Sequence, residues 1–115
     1  MKTVEQLLAS HCREVKGDAM KAGDVAAQLK VLDQWTVDGG ALKKVYRFKN
    51  YYETLAFVNA LAYMVHREDH HPDLQVGYNR CEVRYNTHSV NGISENDFIC
   101  AAKADALYLH RYSVA

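Results

Sequence analysis

Two segments of strictly alternating residues, each doubled back through a short turn and each followed by a helical pattern, constrain this chain more than any other feature. Gln34 to Asp38 and Leu42 to Lys49 flank Gly39-Gly40, and the second run sets Leu42, Lys44, Tyr46 and Phe48 against Lys43, Val45, Arg47 and Lys49. A period of two on either side of a Gly pair predicts a β-hairpin. Leu74, Val76 and Tyr78 repeat the pattern, Asn79-Arg80 offers a short turn, and Cys81, Val83, Tyr85 and Thr87 alternate with Glu82, Arg84, Asn86 and His88.

Helical spacing fills the gaps between the hairpins. Val25, Leu29 and Leu32 recur on one face, with Asp24 available as an N-cap. Asn50 and Glu53 have capping-box spacing ahead of a stripe of Leu55, Val58, Ala62 and Val65, widened by Phe57, Leu61 and Met64. Pro72 disfavours helical geometry at His71, so this helix is expected to end near Asp69 or His70. Gly92 marks an exit loop, and Ser94 to Asp97 form a second capping box leading into Phe98, Ile99, Ala102, Ala106 and Leu109. The order is α-β-β-α-β-β-α, an α+β fold in which a four-stranded antiparallel sheet carries its helices on one face.

A length of 115 residues supports one domain over residues 1–115, with 1–23 an N-terminal extension to which no structure or function is assigned. Fourteen basic and fourteen acidic residues leave no net charge, so there is no excess of cations to hold a polyanion, and direct nucleic-acid binding is not expected. Cys12, Cys81 and Cys100 are an odd number without a C-x-x-C pair, which argues for free thiols. No export signal and no membrane-spanning apolar run is present, so a cytoplasmic protein is expected.

Six histidines make acid–base chemistry the first functional question. Imidazole is the side chain whose ordinary pKa lies near neutrality, and two neighbouring imidazoles can divide the roles of donor and acceptor because the first proton hinders the second. His70-His71 have that relation, against the alternative of an idle solvated helix end. His88 falls on the polar face of its expected strand, beside a Gly-containing loop. Asp97 is sufficiently explained by capping and Asp69 by a solvated helix end. His66 and His70 are spaced i, i+4, which would admit zinc with His71, His88 or Asp69 as a third ligand, but the Glu of an H-E-x-x-H motif is missing. No metal is assigned.

His70-His71-Pro72-Asp73-Leu74, then Tyr78, Thr87-His88, Gly92-Ile93-Ser94 and Asp97 together resemble the pterin-4a-carbinolamine dehydratase family, over about Trp35 to Leu107. The resemblance implies dehydration of 4a-hydroxytetrahydropterin to quinonoid dihydropterin, recycling the cofactor of an aromatic amino acid hydroxylase. It implies no metal or organic cofactor, the pterin being the substrate. It makes His70 and His88 the expected proton-transfer pair and His71 a substrate-binding residue, with Asp69 and Asp97 in possible support. Leu74 stands where many members have Trp. A homodimer or homotetramer is expected, by resemblance and because a small sheet leaves edges to pair. The alternative is a protein-binding module, since mammalian relatives also serve as dimerization cofactors of a homeodomain transcription factor and so as transcriptional coactivators.

Overall fold

The computed structural model describes residues 1–110. Its elements are α1 (Val4–Ala9), α2 (Ala22–Leu29), β1 (Thr36–Asp38), β2 (Ala41–Arg47), α3 (Tyr51–Glu68), β3 (Asp73–Val76), β4 (Arg80–Tyr85), a short 3-10 turn η1 (His88–Val90) and α4 (Glu95–Leu109). The four strands form one antiparallel sheet in the order β1-β2-β4-β3, so the two central strands come from different hairpins.

Alternation becomes a two-faced sheet. Leu42 and Tyr46 of β2 and Cys81, Val83 and Tyr85 of β4 are buried beneath Phe57, Leu61 and Met64 of α3 and Phe98, Ile99 and Ala102 of α4. Small side chains at Ala101, Ala102 and Ala104 keep the buried side of α4 narrow, which suits close helix packing. The edge strands β1 and β3 are exposed along their whole length. Gly39 and Gly40 take φ values of 60° and 77°, the left-handed pair that a two-residue hairpin needs and that glycine adopts without steric cost.

Several local expectations are corrected. The second helix starts at Ala22 with Lys21 at its N-cap, so Asp24 sits inside the first turn, and Leu32 lies beyond its end. Asn50 accepts from the Glu53 N–H at 2.9 Å as a cap should, but the Glu53 carboxylate reaches back to the Lys49 N–H. The second hairpin turns through Gly77, Tyr78 and Asn79, closed by Gly77 N–H donating to the Arg80 carbonyl at 2.8 Å, so Tyr78 leaves the strand. The fourth strand stops at Tyr85. Thr87 pairs instead with Gly92 across a tight loop, and His88 begins a 3-10 turn rather than lying on a strand face.

The N-terminal extension is ordered against this core. Thr3 and Gln6 cap α1 reciprocally, and Leu7 is fully buried beside α4. Beyond α1 the chain runs across the N-terminal end of α4 before entering α2.

Candidate active site

The C-terminal end of α3, the loop into β3, the loop after β4 and the segment after α1 surround a cleft of about 600 Å³. His70, His71 and His88 all line it, as do Asp69, Thr87, Asn96 and residues Cys12 to Val15. That volume is within the ordinary range for a small-molecule site.

His70 is set by the way α3 ends. Asp69 closes the helix in the left-handed conformation (φ 52°), donating its N–H to the Val65 carbonyl, which turns the chain sharply. The turn carries His70 inward until its Nε2 lies 2.6 Å from Asp97 Oδ1. Its ring stacks on Tyr85 at 5.3 Å between centroids, and the Tyr85 hydroxyl donates to the His70 carbonyl. Burial pushes the Tyr85 phenol well above its ordinary range, so it stays a neutral donor. Because the helix has ended, His66 and His70 no longer share the i, i+4 face on which the zinc arrangement depended.

Asp97 does two jobs with two oxygens. Oδ2 accepts from the Ser94 N–H at 2.8 Å, completing the capping box of α4, and from the Thr87 hydroxyl at 2.9 Å. Oδ1 is left for His70, and the residue is fully buried. A carboxylate that accepts here assigns the hydrogen to His70 Nε2, which leaves Nδ1 as the ring nitrogen not engaged by Asp97.

The other candidates are more open. His71 has a side chain 75% exposed, 4.0 Å from the still more solvated Asp69 carboxylate. His88 is exposed at the head of η1, where the Thr87–Gly92 bridge fixes its backbone.

Sequence reasoning missed the second job of Asp97, the stacking by Tyr85, and the whole wall built by the segment after α1. That wall is pinned by the buried Asn96 and Glu68 and by the exposed Ser89. Asn96 donates to the Arg13 carbonyl at 2.6 Å and accepts its N–H at 3.1 Å, and Ser89 donates to the Val15 carbonyl. Glu68 accepts the Cys12 N–H at 2.7 Å while also holding Lys103 at 2.6 Å and His11 at 3.0 Å. Burial opposes the Glu68 charge, but these three donors outweigh it and hold its pKa down at about 2. The Cys100 thiol 3.5 Å away, together with burial, raises Cys12 far above the ordinary thiol range, so Cys12 is not a thiolate nucleophile. Of the local patterns, Pro72 and the Ser94/Asp97 capping box signalled where α3 ends and α4 begins, and the family resemblance grouped the histidines, but nothing pointed to the segment after α1.

A four-stranded antiparallel sheet under helices, with a histidine cleft closed at the junction of α3, β4 and α4, defines a small α+β protein with a pocket suited to proton transfer. The family model described as pterin 4 alpha carbinolamine dehydratase matches residues 18–107. The chain belongs to that family. It is 47% identical over 108 residues, covering 92% of this chain and 96% of the relative, to a protein of Nitrosospira multiformis named "Putative pterin-4-alpha-carbinolamine dehydratase". A protein of Bdellovibrio bacteriovorus with the same name is 59% identical over 93 residues, covering 77% and 78% of the two chains. Among solved structures, a transcriptional coactivator/pterin dehydratase from Brucella melitensis superposes with a TM-score of 0.75 at 32% identity, over 79% of this chain and 99% of its own. A pterin dehydratase-like protein identified as a RuBisCO assembly factor in the alpha-carboxysome has a TM-score of 0.59 at 26% identity, over 67% and 92%.

Proposed function

We propose that this cleft dehydrates a 4a-hydroxytetrahydropterin to the quinonoid dihydropterin by general acid–base catalysis. The reaction removes a proton from ring N5 and breaks the C4a–O bond. The N5–H electron pair becomes the N5=C4a double bond, and the oxygen leaves with the C–O pair as water once protonated. One base and one acid are therefore enough, and the proposal calls on no metal or organic cofactor. His70, with Nε2–H given to Asp97, offers Nδ1 as the base toward N5, and His88 across the cleft supplies the proton to the departing oxygen. His71 binds and orients the ring. A positioned acid or base contributes roughly 10² to 10⁴ in rate.

The observation that supports this reading best is the convergence of three imidazoles from two separate loops on one cleft, with a buried carboxylate behind one of them. The cellular role that follows is recycling of the tetrahydropterin cofactor of an aromatic amino acid hydroxylase in the cytoplasm. The exposed edge of β3, with Leu74 and Val76 facing solvent, is the place where a second copy would pair to form a homodimer or homotetramer.

A binding role is the second reading, favoured by the coactivator and assembly-factor names of the two solved relatives. Stopped-flow absorbance with freshly generated 4a-hydroxytetrahydropterin separates the two. Acceleration over the spontaneous reaction, with a bell-shaped pH dependence of kcat/KM and its loss in a His70→Ala/His71→Ala/His88→Ala variant, is the expected result. A wild-type protein that leaves the spontaneous rate unchanged would contradict the enzymatic reading.

A further inference from the structure

The wall after α1 carries one charged group whose role the fold does not explain. Arg13 has both its backbone groups clamped by the buried Asn96, an arrangement that fixes where its side chain starts. The residue lines the cleft and is exposed, and among the described residues no carboxylate lies within ion-pair distance of its guanidinium. Its neighbour Glu14 is turned to Lys16 at 3.4 Å. A cation held by its backbone at the mouth of a site, with its donors unspent, is a ligand contact in waiting.

Which ligand group it meets follows from charge and from the connectivity of the ring. The cleft is lined by four carboxylates, Glu14, Glu68, Asp69 and Asp73, against the single guanidinium of Arg13, so a phosphate would meet an excess of negative charge. A neutral, oxygen-rich group would meet no such repulsion. In a pterin the ring carbon C6 is bonded directly to N5, so a ring with its reacting edge against the histidines sends the C6 substituent out beside them. Residues 1–17 lie outside the family match, so the contact belongs to this wall rather than to the shared core.

We propose that Arg13 is a specificity-determining residue that hydrogen-bonds the hydroxyl groups of a polyhydroxylated C6 side chain on the pterin. This rests on the dehydratase reading for the identity of the ring, but the contact is tested separately from turnover.

The experiment compares two 4a-hydroxytetrahydropterins, one with a dihydroxypropyl and one with a methyl group at C6, in stopped-flow turnover. It also measures equilibrium binding of the two corresponding dihydropterins. Arg13→Ala is expected to raise KM and Kd about tenfold for the dihydroxypropyl compounds, the scale of a charge-assisted hydrogen bond, with kcat changed by less than about twofold. The methyl compounds should be unaffected, and Arg13→Lys should restore part of the loss. An unchanged thermal midpoint shows that the exposed substitution leaves the fold intact. Equal changes for both side chains, or no change for either, would overturn the assignment. If wild-type protein fails to accelerate dehydration, the catalytic reading falls, and the binding measurements alone decide Arg13: loss confined to the dihydroxypropyl compound upholds the contact, and any other pattern rejects it.

Discussion

Two neighbouring imidazoles each have an aspartate within reach, and the two pairs could hardly differ more. His70 meets Asp97 at 2.6 Å, with side chains 13% and 0% exposed; His71 meets Asp69 at 4.0 Å, with side chains 75% and 92% exposed. The first pair is held by the fold from every side, because Asp97 is fastened by Ser94 and Thr87 and the His70 ring is stacked on Tyr85. The second is a surface pair in water, of the kind that contributes little measurable energy. Adjacent positions in a chain thus receive different physical tasks. A buried carboxylate can fix the tautomer and direction of an imidazole, whereas a solvated one leaves it free to adapt to a ligand.

Removing the buried anchor should produce the largest effect. Asp97→Ala leaves the Ser94 N–H, the Thr87 hydroxyl and His70 without their acceptor, and is expected to cost about 3–5 kcal/mol in urea unfolding. Asp97→Asn keeps the volume but offers His70 either a donor or a weaker acceptor, and should lower kcat by about 10² while destabilising the fold less. Asp69→Asn should change neither quantity beyond experimental scatter. A similar loss for both aspartates would erase the distinction between the pairs.

A smaller effect tests the wall facing them. Glu68 has a folded pKa of about 2, below the ordinary carboxylate value of 4.5, so its ionised form stabilises the folded state. That contribution is complete above about pH 4.5 and is lost as pH falls toward 2. From the size of the shift it is on the order of 3 kcal/mol. The stability difference between wild type and Glu68→Gln should therefore be present at pH 7 and shrink progressively between pH 4.5 and 2.5. A difference independent of pH would mean that the charge of Glu68 does not hold the segment after α1 in place.

Much of the architecture was legible because it is written in local periodicity. The alternation of Leu42 to Phe48 and Cys81 to Tyr85, and the caps at Asn50 and Ser94, require only near neighbours in the chain. The departures arise where long-range contacts compete with local pattern. Thr87 and His88 continue the alternation of β4, but the bridge from Thr87 to Gly92 bends the chain away, and His88 leaves the sheet. Asp97 shows the same limit inside a site: its cap was legible three residues away, whereas its bond to His70 spans 27 positions and joins the end of one helix to the start of another. The segment from His11 to Val15 has no periodicity at all, and its place in the cleft depends on Glu68, Ser89 and Asn96, which no local rule connects to it.

The contrast between the two histidines is tested most directly by steady-state and stopped-flow kinetics of His70→Ala beside His71→Ala with the same 4a-hydroxytetrahydropterin. The structure predicts a fall in kcat on the order of 10² to 10⁴ for His70→Ala, with a small change in KM, and for His71→Ala chiefly a rise in KM. Equal falls in kcat for the two variants, or the larger fall for His71→Ala, would contradict the assignment of proton transfer to the imidazole that Asp97 holds.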